Sequence, residues 1–385
     1  MDFDFQWLLL AFPATFALGW LASRFDVRQW KREQVESPKA YTKGLSLLLS
    51  EQQDKAIDAF IEAVQQDPDT TDLHFALGNL FRRRGEYERA VRVHEHLLGR
   101  GDLPRGERDR AQHALAQDFL KAGLLDRAEE AYRALEGTAY DTEARLALLS
   151  LFERSRDWRA AVDTAQKLER SGTGSFASRI SHYWCEMALE AEARHRDADA
   201  DDALKRARDS APLAARPIVL MGQRLARQGK HAEVIELWGE LLVNQPAAFN
   251  LVAKEFAASA TAAGGIEGAL KRLQAAYRRT PTIDLLQSIN LLDTDPARRR
   301  DRLLAHLAGQ PTLSVAQSLL QQHAHSGMSI APDEVESLSQ AVGRAAKPLQ
   351  RYRCAACGFE AQHYFWQCPG CLNWDTYPPQ RLEDL

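Results

Sequence analysis

The chain has 385 residues, of which 45% are hydrophobic, 26% charged and 8% aromatic, with a formal net charge of −4. That length exceeds one ordinary core and points to two or three structural units. The mixed charges exclude a polytopic membrane protein, and the slightly acidic balance argues against a nucleic-acid binder, which needs a basic surface to neutralise phosphates.

From Phe5 to Ala22 no residue is charged, and only Gln6 and Thr15 are polar. Such a run at ~1.5 Å rise per residue spans about 27 Å, close to the hydrocarbon thickness of a bilayer. Trp7 and Trp20 stand near its ends, where indoles favour the interface, and Pro13 sits mid-span, where a membrane helix tolerates a kink. Asp2 and Asp4 precede the run, whereas Arg24, Arg28, Lys31 and Arg32 follow it. The positive-inside rule then places the rest of the chain in the cytoplasm, and the acidic start argues against a cleaved signal peptide. Residues 1–24 therefore read as a transmembrane anchor and 25–40 as a juxtamembrane linker.

Residues 41–346 carry helical periodicity, almost no strand signal and an internal repeat. Gly44, Lys55-Ala56 and Pro68 align with Gly78, Arg89-Ala90 and Asp102, each 34 residues on, which is the tetratricopeptide pitch. Further copies run through Leu115-Ala116, Phe119, Gly123, Ala128 and Tyr132, then Leu148, Phe152, Trp158, Ala161 and Ala165. A weaker copy links Trp184 and Met187 to Ala203 and Ala207. Another runs from Met221-Gly222 through Gly229, Trp238 and Leu241 to Pro246, and degenerate copies end at Pro281 and Pro311. Small residues where paired helices cross let them approach, and large residues fill the groove beside them. The expected fold is all-α: a tetratricopeptide superhelical array with an N-terminal transmembrane helix and a small C-terminal metal ribbon.

The array shows no Walker A loop, nucleophile elbow or H-E-x-x-H motif, so no catalytic residue is assigned. His94 and His96, like His323 and His325, diverge on a helix and read as exposed. The runs Arg82-Arg83-Arg84 and Arg298-Arg299-Arg300 read as solvated helix ends, Gly172-Thr173-Gly174 as a turn between repeats, and Cys185 as a buried, inert thiol.

The five cysteines are too few for a disulfide scaffold, and four of them crowd the C-terminus. Cys354-x-x-Cys357 and Cys368-x-x-Cys371 are separated by ten residues. Each pair forms a knuckle whose N–H groups favour thiolates, and two facing knuckles make a tetrahedral tetrathiolate for zinc or iron. Gly358 follows the first pair, where a knuckle needs positive φ. Tyr352, Phe359, Tyr364, Trp366 and Trp374 are available to cover residues 347–385 as a rubredoxin-like metal-binding domain. Its side-chain charges balance before the thiolates are counted, which argues against nucleic-acid binding.

The order of anchor, repeats and ribbon resembles the lipopolysaccharide assembly protein B family. The stretches that carry the likeness are Leu48–Ala56, Leu77-Gly78-Asn79-Leu80-Phe81-Arg82 and Arg351–Cys371. The resemblance implies a non-enzymatic inner-membrane adaptor that regulates lipopolysaccharide synthesis by presenting the lipid A pathway deacetylase to the membrane-anchored protease FtsH. A lipopolysaccharide-sensing inner-membrane protein opposes it, and homo-oligomers are allowed. By motif, Cys354, Cys357, Cys368 and Cys371 carry over as ligands of one metal ion. Leu372 stands where rubredoxins have Gly, which argues against redox activity. The alternatives from other classes are an iron electron carrier on a repeat scaffold and a general envelope-assembly scaffold.

Overall fold

The computed structural model describes residues 15–20, 42–44, 46–47, 49–50, 52–66, 70–310, 312–324 and 332–384. Most of the expected anchor and all of the linker lie outside these residues. Residues 15–20 are helical, with Phe16, Leu18 and Trp20 exposed, and no helix among the described residues is long and apolar enough to cross a membrane.

The chain divides into two units, residues 1–157 and 158–385. The first holds α1 (Gln53–Gln66), α2 (Thr71–Arg83), α3 (Tyr87–Leu98), α4 (Arg105–Ala122), α5 (Leu125–Arg133) and α6 (Asp141–Ser155). Each packs on its sequence neighbour, and α2 also meets α4. The second begins with α7 (Trp158–Arg170), α8 (Ala177–Ala193), α9 (Asp197–Ser210), α10 (Ala215–Arg227), α11 (His231–Asn244) and the short α12 (Pro246–Phe249). It continues with α13 (Ala253–Ala262), α14 (Ile266–Arg279), α15 (Ile283–Leu292), α16 (Pro296–Gly309), α17 (Leu313–Ala324) and α18 (Pro332–Ala346). In both units the pairing of α8 with α10, α11 with α13 and α13 with α15, or of α2 with α4, adds helix-after-next contacts, as stacked tetratricopeptide-like hairpins require.

The crossing residues explain the pitch. A Cβ at Gly44 would meet the Phe60 ring at 2.7 Å, one at Gly78 the His94 ring at 2.5 Å, and one at Gly222 would run into Trp238. Each filler lies sixteen positions after its small partner. Ala116 with Tyr132, Ala188 with Leu204 and Ala257 with Leu273 keep the same spacing, and all six are buried. His94 is therefore a groove filler. The expectation that it is exposed is wrong, and only His96 of that pair is exposed.

A turn that closes a helix also recurs. Glu86, Leu124, Asp157, Arg196, Lys230 and Gly265 each donate an N–H to the carbonyl five residues back, closing the preceding helix. This closure needs a left-handed residue, supplied by Gly85, Gly123, Gly229 and Gly264 but by Arg156 (φ 60°) and His195 (φ 56°) in two copies. Gly172 and Gly174 form the expected turn between α7 and α8, and Cys185 is fully buried, its thiol pushed up to about 12 by burial.

The arginine runs are less free than a solvated end would be. Arg82 pairs with buried Asp118 at 2.8 Å, and exposed Arg298 reaches Asp293 and Asp295 at 3.5 and 3.3 Å. The side chain of His323, and all of His325, Pro68 and Pro311, lie outside what is described.

Candidate metal centre

The ribbon is built from two near-equivalent knuckles. In the first, the Gly358 N–H donates to the Cys354 carbonyl (2.9 Å) and the Cys354 N–H to the Phe359 carbonyl (2.9 Å). In the second, Leu372 N–H donates to Cys368 (2.8 Å) and Cys368 N–H to Asn373 (2.9 Å). The residue after each second cysteine is left-handed: Gly358 at φ 76°, as the sequence predicts, and Leu372 at φ 59°. A β-carbon in that region costs about 1–2 kcal/mol, so Leu372 is held there by the rest of the knuckle. Strands β1 (Tyr352–Arg353) and β2 (Glu360–Ala361) pair antiparallel around the first knuckle, and a bridge joins Gln367 to Trp374 around the second.

This symmetry brings all four sulfurs within 4.8 Å of one another. Cys354 and Cys371 are 3.9 Å apart, and Cys357 and Cys368 are 3.6 Å apart. A tetrahedral ion with metal–sulfur bonds of ~2.3 Å has sulfur–sulfur edges of roughly 3.8 Å, so the donor set fits such an ion. The electrostatics agree. Burial opposes ionisation of Cys354, but the Thr376 hydroxyl, 3.2 Å away, and the Cys357 and Ala356 N–H groups pull the thiol down to about 6. Burial also opposes ionisation of Cys368, and the Cys371 and Gly370 N–H groups reverse it. At Cys357 the Phe359 N–H favours the thiolate, yet desolvation and the other three sulfurs push it up to about 12. The cluster readily sheds some protons and resists losing the rest, a conflict that a bound cation removes. The four cysteines form a metal-binding tetrathiolate, and either zinc or iron satisfies its chemistry.

The aromatic cover follows expectation at Tyr352 and Tyr364, which pack on the site, and differs elsewhere. Tyr352 and Tyr377, the latter not anticipated, pack with Cys354 and Cys368, whereas Phe359 is largely exposed. Trp366 and Trp374 turn to the repeats of the same unit. Trp374 stacks on His182 at 4.6 Å, edges toward Trp158 and Tyr183, and lies under Arg216 at 5.7 Å. The next residue, Asp375, has φ 54° and accepts hydrogen bonds from His182 Nε2 (2.8 Å) and Ser178 Oγ (2.9 Å). Burial alone would raise its carboxyl, but those donors and Arg216 hold it below the usual carboxylate range. Further on, Arg381 reaches Asp284 at 3.3 Å, and a 3-10 turn at Leu382–Asp384 sets Glu383 against Ser314 and Asp384 against the Ile283 N–H. No spacing rule pairs Asp375 with a histidine 193 residues away, and sequence reading misses this clasp.

The ribbon and the whole chain each have known relatives. Residues 352–379 match the family model of a rubredoxin metal binding domain. Lipopolysaccharide assembly protein B of Escherichia coli K12 is 29% identical over 384 residues, covering 97% of this chain and 98% of that protein. Its Haemophilus influenzae counterpart is 25% identical over 411 residues, covering 97% of each. Among solved structures, a tetratricopeptide repeat protein from Parabacteroides merdae aligns with TM-score 0.33 at 14% identity, over 66% of this chain and 98% of its own. YrrB, a tetratricopeptide protein with an unusual peptide-binding site, aligns with TM-score 0.34 at 15% identity, over 51% and 96%. The chain resembles the lipopolysaccharide assembly protein B family over 97% of its length, with the ribbon matched on its own.

Proposed function

We propose that this chain is a non-enzymatic adaptor that restrains lipopolysaccharide synthesis from the inner membrane. The carrying observation is the likeness to lipopolysaccharide assembly protein B over 97% of the chain, ribbon included. In this reading residues 1–24 anchor the chain, the bulk faces the cytoplasm, and the repeats hold the lipid A pathway deacetylase beside FtsH. Confinement raises the effective concentration of substrate at the protease, so no chemistry is asked of the adaptor. A lipopolysaccharide-sensing membrane protein would relieve the effect by competing for the same chain. The metal serves as a structural clip, since the second knuckle leads directly into Trp374 and Asp375, which grip the repeats.

The test is the deacetylase half-life in the native host after removal of residues 1–24. Retained folding of the truncated chain by circular dichroism, with a deacetylase that is no longer turned over, is the expected result. Normal turnover beside the truncated chain defeats the tethering mechanism.

A further inference from the structure

The repeats of the second unit carry a groove of about 340 Å³ between α13, α15, α16 and α17 that the ribbon leaves open. Lys254 on α13 and Arg299 on α16 line it. Both are exposed, and among the described residues neither side chain has an ion pair or a hydrogen bond. Their neighbours differ: Arg298 and Arg302 are neutralised by Asp293, at 3.5 and 2.6 Å. No carboxylate lines the groove, so the two free cations face it uncompensated. Two amides lie alongside on α15. Asn290 Oδ1 accepts from Arg302 Nε (2.9 Å), its NH2 group has no partner among the described residues, and neither has Gln287. Leu291, 56% exposed, supplies the apolar wall.

A second observation comes from the adjoining end. Ser314, which also lines the groove, donates to Glu383 Oε1 at 2.7 Å, and the Ile283 N–H donates to Asp384 Oδ1 at 3.3 Å. An acidic stretch of the chain itself is thus already seated where α15 and α17 begin.

We propose that this groove binds an acidic, leucine-bearing peptide segment of a partner protein. Its carboxylates pair with Lys254 and Arg299, its backbone amides meet Gln287 and Asn290, and its aliphatic side chains rest on Leu291. An anionic lipid headgroup would satisfy the cations but has no use for paired amide donors and acceptors beside an apolar wall, which favours the peptide. The inference stands apart from the role in lipopolysaccharide synthesis.

The experiment is fluorescence anisotropy on the full chain with a labelled decapeptide carrying two adjacent glutamates between leucines in a serine–glycine background. The control is the same peptide with glutamines. The glutamate peptide binds and the glutamine peptide binds at least tenfold more weakly. Lys254→Ala and Arg299→Ala each weaken the glutamate peptide about tenfold, as loss of a charge-assisted hydrogen bond requires. Lys254→Glu together with Arg299→Glu reverses the preference toward a lysine version of the peptide, with the circular dichroism spectrum unchanged. Equal binding of the two peptides, indifference to both alanine variants, or binding only to vesicles of phosphatidylglycerol overturns the proposal.

Discussion

Each unit brings a histidine, an aspartate and an arginine together, and the two clusters do different work. In the first unit His94 Nδ1 and Asp118 Oδ2 are 2.5 Å apart, Arg82 meets the other carboxylate oxygen at 2.8 Å, and the His94 and Asp118 side chains are fully buried. All three sit on α2, α3 and α4, so repeat stacking alone assembles them. In the second unit His182 is buried but the Asp375 side chain is 46% exposed, and the two are brought together only if the ribbon folds. The first cluster is a consequence of helix packing. The second is a latch whose strength depends on a remote fold of some thirty residues, and that fold depends on its four sulfurs.

Removing the metal separates the two most sharply. Cys354→Ser with Cys371→Ser takes away half of a ligand set whose metal contributes on the order of 10 kcal/mol in small zinc domains. The expected result is loss of bound metal by elemental analysis and loss of amide-exchange protection across residues 351–384. The His182 ring is then released, while the His94 ring signals stay where they were. Unchanged metal content, or equal disturbance of both histidines, breaks the distinction.

Truncating the two aspartates sharpens it further. Asp118→Ala leaves fully buried His94 without its Asp118 acceptor and takes one of three acceptors from Arg82, where breaking a buried pair costs about 3–5 kcal/mol. Asp375→Ala also removes a histidine partner, but water reaches that carboxylate, so the cost is about 1–2 kcal/mol and falls on ribbon docking. Denaturant melts of the two variants, read with exchange in the ribbon, give the order. A smaller loss at Asp118 than at Asp375 contradicts it.

The same contrast explains what the sequence reveals. Cysteine spacing specifies the metal site because both ligands of a knuckle lie within one short loop. The repeat pitch is readable because small and large residues recur sixteen apart in six of the repeats, and His94 follows Gly78 at that distance as Phe60 follows Gly44. The residue type hid the filler, since histidine is not usually read as core. Arg156 and His195 obscure two turns because the left-handed position there lacks its glycine. Asp118 and Asp375 carry no signal, because each is defined by partners on other elements. The direction taken by Trp374 is likewise a property of docking, not of the knuckle that precedes it.

The smallest expected effect concerns pH and lies at the far end of the latch. Asp384 is pushed up to about 6 by burial, beside Asp284 and Glu383, with the Ile283 N–H and Arg381 only partly offsetting this. Its Oδ2 has no hydrogen-bond partner among the described residues. Burial raises Glu383 in the same direction despite its bonds to Ser314. A carboxyl whose folded-state value is raised binds its proton more tightly when folded. Its contribution is therefore full below the ordinary carboxylate range and is lost as pH rises through about 6. Asp375 has the opposite sign, but its contribution is lost only as pH falls below the ordinary carboxylate value, outside this window. His306, lowered by burial, works against the acids between pH 7 and 5, so the native chain alone does not isolate them. Asp384→Asn does, because it keeps the shape and removes the titration. The variant is expected to be more stable than the native chain at pH 7, by about 1 kcal/mol after discounting for partial exposure, with the gap narrowing below about pH 6 and closing only under the ordinary carboxylate value. Exchange of the Leu382–Asp384 amides reads it locally, and a gap that is constant or widens toward pH 5 overturns the assignment.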